Sequence, residues 1–354
     1  MAKKSPVLTI VLTLIIIGLF FVSLSSLSEA SSTTGDRYFF IKKQFIWLLV
    51  GSISYLFFSK INLDFLKKIS SLLYFISIFI LVIVLIPGLG SQALGARRWL
   101  DLGFIGIQPS EFVKLTSIIY FSHIFSQKNK QNLKNLIIYL GIPFLLILLE
   151  PNLSTAVLVS AIVITLYYLA GGEIFSLFGI CLSLIVISLL FTLTSPYRIE
   201  RLKTLTNPQT ASTTSSYHHK QIVLALASGG LFGKGFANSD QKYKYLPKIS
   251  TDSILAVIGE ETGFLGLIII FFLYLSLISY LFKISSTIAD PFKSLLISGT
   301  AAWIAIQTII NVAAISAIIP LTGVPLPFIS YGGSSLLTLM SAVGIIKNIE
   351  KHPS

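Results

Sequence analysis

The chain has 354 residues, of which 54% are hydrophobic and only 11% charged, and its mean hydropathy is +0.86. Soluble domains carry about 25% charged residues, so this composition excludes a water-soluble globule and describes a polytopic membrane protein. The formal net charge of +12 does not indicate nucleic acid, because the bases lie in short loops between apolar runs where they orient the chain, and one cysteine, Cys181, excludes a disulfide framework.

After Lys3 and Lys4, the first apolar run extends from Pro6 to about Leu27. Ser28-Glu29-Ala30 offers small residues at a cleavage position, but the run is longer than a usual signal-peptide core of about 7–15 residues, so it reads as an uncleaved anchor. Further runs of spanning length lie near 45–59, 70–87, 110–126, 136–149, 153–170, 174–194, 253–282, 294–318 and 331–347. The expected fold is therefore all-α and polytopic, with ten transmembrane helices in a single integral membrane domain over 1–354. An even count puts both termini on one side. Placing them in the cytoplasm gathers Lys3, Lys4, Lys60, Lys67, Lys68, Lys128, Lys130, Lys134, Lys283, Lys293, Lys347 and Lys351 inside, as the positive-inside rule requires. The long segment 195–250, between helices 7 and 8, is then an extracytoplasmic loop.

The outer connection between helices 3 and 4 contains Gly95-Ala96-Arg97-Arg98-Trp99-Leu100-Asp101, adjacent guanidinium groups beside an interfacial Trp. Pro109 and Ser110 make a helix start, and Glu111 and Lys114, spaced i,i+3, share a face and can neutralise each other in the membrane. They are either a structural ion pair or part of a site. Glu150-Pro151-Asn152 is an outer turn whose carboxylate faces inward or is solvated. The long loop carries Arg198, Arg201, Lys203, Lys220, Lys234, Lys242, Lys244 and Lys248 against Glu200 and Asp240. Long loops are exempt from the orientation rule, so this excess fits an anionic ligand at the outer surface or attraction to lipid headgroups.

The chain is organised around Tyr217 to Gly266. Ser228-Gly229-Gly230-Leu231-Phe232-Gly233-Lys234-Gly235 is too glycine-rich for a packed helix and reads as backbone brought close to a ligand or another segment. Leu246-Pro247-Lys248-Ile249-Ser250-Thr251-Asp252 ends on a carboxylate where the polar segment meets an apolar helix. Asp252 is either a helix cap or a catalytic group. Glu260 and Glu261 lie within the following helix, where pairing with Lys114 or another buried base, or ion coupling, would justify them. His218 and His219 are adjacent, so their rings do not face one point on a helix, which speaks against a metal site. Asn311 reads as an interhelical hydrogen bond. The connection from Pro320 to Ser335, with three prolines and almost no charge, reads as a re-entrant or wall-forming loop.

Gly95-Ala96-Arg97-Arg98-Trp99, Gln108-Pro109-Ser110-Glu111, Ala227 to Gly235, Leu246-Pro247 with Thr251-Asp252, Ala256 to Glu261, and Pro325 to Ser335 together resemble the SEDS family (shape, elongation, division and sporulation) over nearly the whole chain. Gln241-Lys242 and the Leu-Pro-Phe-Ile-Ser-Tyr wording are more similar to its FtsW (division) than its RodA (elongation) members. The resemblance implies a peptidoglycan glycosyltransferase that polymerises lipid II at the outer face of the cytoplasmic membrane. It also implies a nascent glycan strand as second substrate, and a class B penicillin-binding protein and other divisome proteins as partners. The family's essential aspartate falls on Asp252. A positioned carboxylate can take the proton of the acceptor 4-hydroxyl as it attacks the donor's anomeric carbon, inverting that centre. At a reference pKa of about 3.9 an Asp is a weak base for an alcohol, so burial or a divalent cation, Mg or Mn, would have to assist; no organic cofactor is implied. Arg97, Arg98, Lys114, Arg198, Arg201, Lys220 and Lys234 are candidates to hold the diphosphate, with Glu111, Glu150, Glu260 and Glu261 structural or supporting. The chain departs from the family where Lys248, Ser250 and Ser253 replace Glu, His and Phe around the aspartate. A transporter of a lipid-linked precursor remains the competing class, with Glu111, Lys114, Glu260 and Glu261 along its route; the crowding of polar residues at the outer end favours surface chemistry.

Overall fold

The computed structural model describes residues 5–33, 36, 38–93, 96–101, 103, 106–127, 133–194, 198–200, 213–239 and 251–352. Among them are eleven helices: α1 (Pro6–Thr33), α2 (Phe39–Phe58), α3 (Leu63–Leu85), α4 (Pro109–Phe125), α5 (Leu133–Leu149), α6 (Leu153–Leu169), α7 (Ile174–Leu193), α8 (Thr213–Gly229), α9 (Ile254–Ser285), α10 (Pro291–Ile315) and α11 (Gly333–Lys351). Ten of them overlap the apolar runs read from the sequence, and α8 lies inside the long loop. By length and hydropathy α1, α2, α3, α7, α9 and α10 can each cross a membrane. The chain is thus a multi-pass membrane protein. α5 and α6 are apolar but have 17 residues each, and α4 and α11 carry more polar side chains and bury most of their residues.

The fold is not wholly α-helical. Between α3 and α4 stands a three-stranded antiparallel sheet of β1 (Gly90–Ala93), β2 (Ala96–Asp101) and β3 (Gly106–Ile107), in the order β1-β2-β3. Its strands pair backbone groups that a bare loop would leave open.

The chain divides into two compact units. The first comprises Met1–Leu48, Leu190–Leu277 and Gln307–Gly332; the second comprises Leu49–Leu189, Ile278–Ile306 and Gly333–Ser354. In the second unit, polar side chains join helices where burial of apolar surface gives little drive. Tyr74 on α3 stacks on Tyr120 on α4 with centroids 4.4 Å apart, Ser77 lies 2.8 Å from Thr116, and Ser54 lies 2.6 Å from Ser341. Asn348 donates to the carbonyls of Phe58 and Ile61, at 3.2 and 2.5 Å, fixing the turn after α2. Pro109 opens α4 at its first turn, where its missing N–H costs nothing, and Asn152 caps α6 by accepting from Thr155 N.

In the first unit the segment from Pro320 to Tyr331 is an irregular strand of backbone whose polar groups are met by helix side chains. Gln307 donates to the Pro325 carbonyl at 2.8 Å, Asn311 to the Val324 carbonyl at 2.8 Å, and the Tyr274 hydroxyl to the Pro327 carbonyl. Leu326 N donates to Ser330 Oγ at 2.8 Å. With Val324, Leu326, Phe328 and Ile329 at most 3% exposed, this is non-helical backbone packed inside the protein, its polar groups met by internal partners. On the other side Gly18 of α1 packs on it so closely that a Cβ there would fall 2.6 Å from the Ile329 carbonyl oxygen.

Candidate active site

Asp252 stands half-buried in the turn that leads into α9. Its Oδ1 accepts from the Thr251 hydroxyl at 2.8 Å, the one donor it meets among the described residues. Its backbone carbonyl accepts from Asn311 Nδ2 at 3.3 Å. The neighbouring Ser253 is buried and its hydroxyl lies 3.1 Å from the ring of His218 on α8. Gly323, at φ +70, brings the irregular loop beside the carboxylate: a Cβ on it would lie 3.8 Å from Asp252 Oδ2. The carboxylate thus has a fixed backbone, one hydroxyl neighbour and a free oxygen edge among the described residues, as a base requires. The upstream Leu246 to Ser250 and the cations Lys242, Lys244 and Lys248 lie outside the described residues, as does Arg201.

About two turns further on, Glu260 and Glu261 are 0% and 1% exposed. Glu260 accepts from Lys234 Nζ at 2.8 Å, from the Ser228 hydroxyl at 3.2 Å and from the Ser239 hydroxyl. The base that Glu260 calls for is therefore the half-buried Lys234, from the glycine-rich segment, which approaches because its glycines have no side chains. A Cβ on Gly229 would meet the Gly259 carbonyl carbon at 2.9 Å, and one on Gly233 the carbonyl carbon of Thr262 at 2.6 Å.

Within the second unit, Lys114 Nζ lies 2.6 Å from the Glu111 carboxylate, both side chains no more than 4% exposed, and 5.3 Å from the centre of the Trp303 ring. The i,i+3 pairing is as the spacing implies. On β2, Arg98 donates from Nε to the Glu150 carbonyl at 3.0 Å and from Nη2 to the Pro151 carbonyl, so it fastens the sheet to the turn between α5 and α6. The Glu150 side chain itself points inward. It is wholly buried, neither carboxyl oxygen has a hydrogen-bond partner among the described residues, and burial pushes its pKa up to about 8, the Arg98 guanidinium pulling it part of the way back.

The seven cations singled out in the sequence therefore divide. Lys114 and Lys234 are held by carboxylates. Arg198 donates to the Phe191 carbonyl at 2.6 Å and covers the Phe191 ring, closing the end of α7. Arg98 binds carbonyls. Arg97 is half-buried on β2 and Lys220 is exposed on α8. Sequence reasoning did not single out Ser228 and Ser239 as partners of Glu260, nor Thr251 and Gly323 as neighbours of Asp252; hydroxyls and glycines in a polar loop give no spacing signal.

No group of three or more His, Cys, Asp or Glu side chains is arranged for a metal among the described residues. Among the described residues the carboxylate donor set around Asp252 is Asp252 alone.

Comparison with known proteins adds three findings. The model of the cell cycle protein family FtsW/RodA/SpoVE matches residues 5–354. The chain is 36% identical to stage V sporulation protein E of Bacillus subtilis, over 99% of this chain and 98% of that protein. It is also 34% identical to a probable peptidoglycan glycosyltransferase FtsW of Trichlorobacter lovleyi, over 97% of this chain and 91% of that one. Its fold superposes on a chain of a peptidoglycan synthase complex with a TM-score of 0.81 at 23% identity, covering 100% of this chain and 99% of that one. On RodA of Thermus thermophilus the TM-score is 0.72 at 22% identity, with coverage of 100% and 98%.

Proposed function

The chain belongs to the FtsW/RodA/SpoVE family of cell-cycle proteins, and from that premise we propose a peptidoglycan glycosyltransferase that polymerises lipid II, with Asp252 as general base. The observation that supports the assignment of the base is the placement of its carboxylate: half-buried at the head of α9, tethered through its backbone by Asn311, touched by the Thr251 hydroxyl, and lined by a loop packed inside the protein.

In the reaction the acceptor sugar's 4-hydroxyl oxygen attacks C1 of the donor sugar. The C1–O bond to the lipid diphosphate breaks, its electron pair leaving with the diphosphate, and the hydroxyl proton passes to the Asp252 carboxylate. Attack on the face opposite the leaving group turns an α-linked donor into a β-linked glycan. The diphosphate needs cations, and in the unit that carries Asp252, Lys220 is a described candidate whose charge no carboxylate takes up among the described residues.

In this reading the ten apolar runs are spans, with both termini in the cytoplasm and the site at the outer face of the cytoplasmic membrane. The partner is a class B penicillin-binding protein supplying crosslinks, and cell division is the process served. The test is polymerisation of lipid II by the purified protein with its transpeptidase. Asp252→Asn and Asp252→Ala are expected to lose about 10²–10⁴-fold in turnover, the span of general base catalysis. Equal glycan chains from all three would remove Asp252 from the chemistry, and translocation of lipid II with no polymer would make the protein a transporter.

A further inference from the structure

Resting on that reading, we propose that Lys234 and Glu260 are positioning residues for polymerisation: their ion pair latches the segment from Gly229 to Ser239 into a break in α9 and so sets where Asp252 stands. α9 is not one continuous helix. Gly263 has φ 70 and ψ −168, which no helical turn accommodates, and the piece Ile254–Thr262 is cut from the remainder. A break frees backbone donors and acceptors that must find partners. The glycine-rich segment supplies them. Lys234 N donates to the Glu260 carbonyl at 2.9 Å and Gly235 N to the Glu261 carbonyl at 3.0 Å, while Phe264 N and Leu265 N donate to the carbonyls of Gly230 and Leu231 at 2.9 and 3.2 Å.

The side chains close what the backbone begins. The Glu260 carboxylate is 0% exposed and takes Lys234 Nζ at 2.8 Å, with Ser228 and Ser239 as further donors; the Lys234 side chain is 30% exposed, so the pair is reached from water at one end only. A lysine that served to grip a diphosphate would present its ammonium to the ligand. This one spends it on a buried carboxylate. On an unbroken helix, packing along all 32 residues of α9 would fix the catalytic end. With the break at Gly263, the short piece carrying Asp252 at its head depends on the latch for its orientation, and about 1 Å of misplacement is enough to cost about 10²-fold in rate.

The test uses the full-length protein with its transpeptidase and lipid II, comparing the parent with Lys234→Met, Glu260→Gln, the double variant and Lys234→Arg. The latch predicts that each single substitution lowers kcat by about 10- to 100-fold with little change in KM. It also predicts that the double variant is no worse than either single one, because both remove the same interaction, and that Lys234→Arg recovers most of the rate. If Lys234 instead holds the diphosphate, Lys234→Met raises KM, Glu260→Gln resembles the parent and the effects multiply; that result, or parent-like kcat in every variant, overturns the proposal. A second readout does not depend on catalysis. In a Cys181→Ser background, Asp252→Cys is alkylated with a water-soluble maleimide, with and without Lys234→Met. The latch predicts a changed alkylation rate, and an unchanged rate refutes it. Failure of the proposed function shows separately, as undiminished polymerisation by Asp252→Asn.

Discussion

One amide, that of Asn311 on α10, holds two backbone carbonyls at once: that of Asp252 at 3.3 Å and that of Val324 at 2.8 Å. It therefore ties the turn bearing the carboxylate to the irregular loop beside it. Asn311→Leu leaves both carbonyls without this donor, at a cost of about 1–3 kcal/mol in stability. The expected result is a 10- to 100-fold loss in polymerisation, the order expected from displacing a catalytic group. Asn311→Asp, which keeps the shape but sets a buried carboxylate against two carbonyl oxygens, should be at least as damaging as the Leu variant; turnover with lipid II and a denaturation curve in detergent measure both effects.

The Glu111–Lys114 pair, 2.6 Å apart and buried on both sides, makes a prediction about stability. Lys114→Met strands a buried carboxylate, and loss of one partner of such a pair costs about 3–5 kcal/mol. Removing both charges with Glu111→Leu and Lys114→Met is expected to recover most of that loss, since an apolar pair of similar volume needs no desolvation. Thermal unfolding of the three proteins decides the matter. A double variant as unstable as the single one would mean that the pair's hydrogen bonds, and not its stranded charge, carry the effect.

Glu150 makes the protein's stability depend on pH. Its folded pKa of about 8 lies above the ordinary 4.5, chiefly because it is buried. Below the lower value both states hold the proton and the folded state pays nothing. As pH rises, the unfolded chain releases its proton while the folded one keeps it, so stability falls by about 1.4 kcal/mol per pH unit until the folded group ionises, and then levels. Glu150→Gln should flatten the unfolding midpoint against pH across that window and should be more stable than the parent at its alkaline end. A parent profile with no fall there would show that the carboxyl is solvated.

Gly263 and Gly233 meet where the helix breaks, and an added Cβ on Gly263 would lie 2.6 Å from the carbonyl carbon of Leu231. Gly263 also has φ 70, a region open to glycine and strained for other residues. Gly263→Ala is expected to cost more than the roughly 1 kcal/mol of an ordinary glycine replacement, because strain and steric overlap add. Gly141→Ala, whose Cβ would meet nothing within 4 Å, is the control. Circular dichroism melts of the two variants should separate clearly.

Much of this architecture was legible in the chain. The apolar runs gave the helices because each is long enough to demand internal hydrogen bonding, and Pro109, the i,i+3 spacing of Glu111 and Lys114, and the prolines after Pro320 placed a helix start, an ion pair and a non-helical loop. The sheet between α3 and α4 was not legible: its strands are 4, 6 and 2 residues long, too short for alternation to register. The break at Gly263 was hidden for a different reason. One glycine in an apolar run of helical length carries no local signal, and what makes it a break is the segment from Gly229 to Ser239 docking against it. The partners of the cations were not legible, because sequence shows that a charge exists and not which protein group it meets; Arg98, Arg198 and Lys234 bond to groups 52, 7 and 26 positions away.

Gly18 has a consequence for how the protein is made. The helix that carries it leaves the ribosome well before the backbone it is cut to fit, at Phe328 and Ile329, which is translated some three hundred residues later. Until then α1 lacks this seat, and its glycine notch must wait in lipid or against an assembly factor. Truncations from the C-terminal end that stop short of Ile329 should therefore leave α1 unanchored and open to degradation, although none of its own residues has been altered.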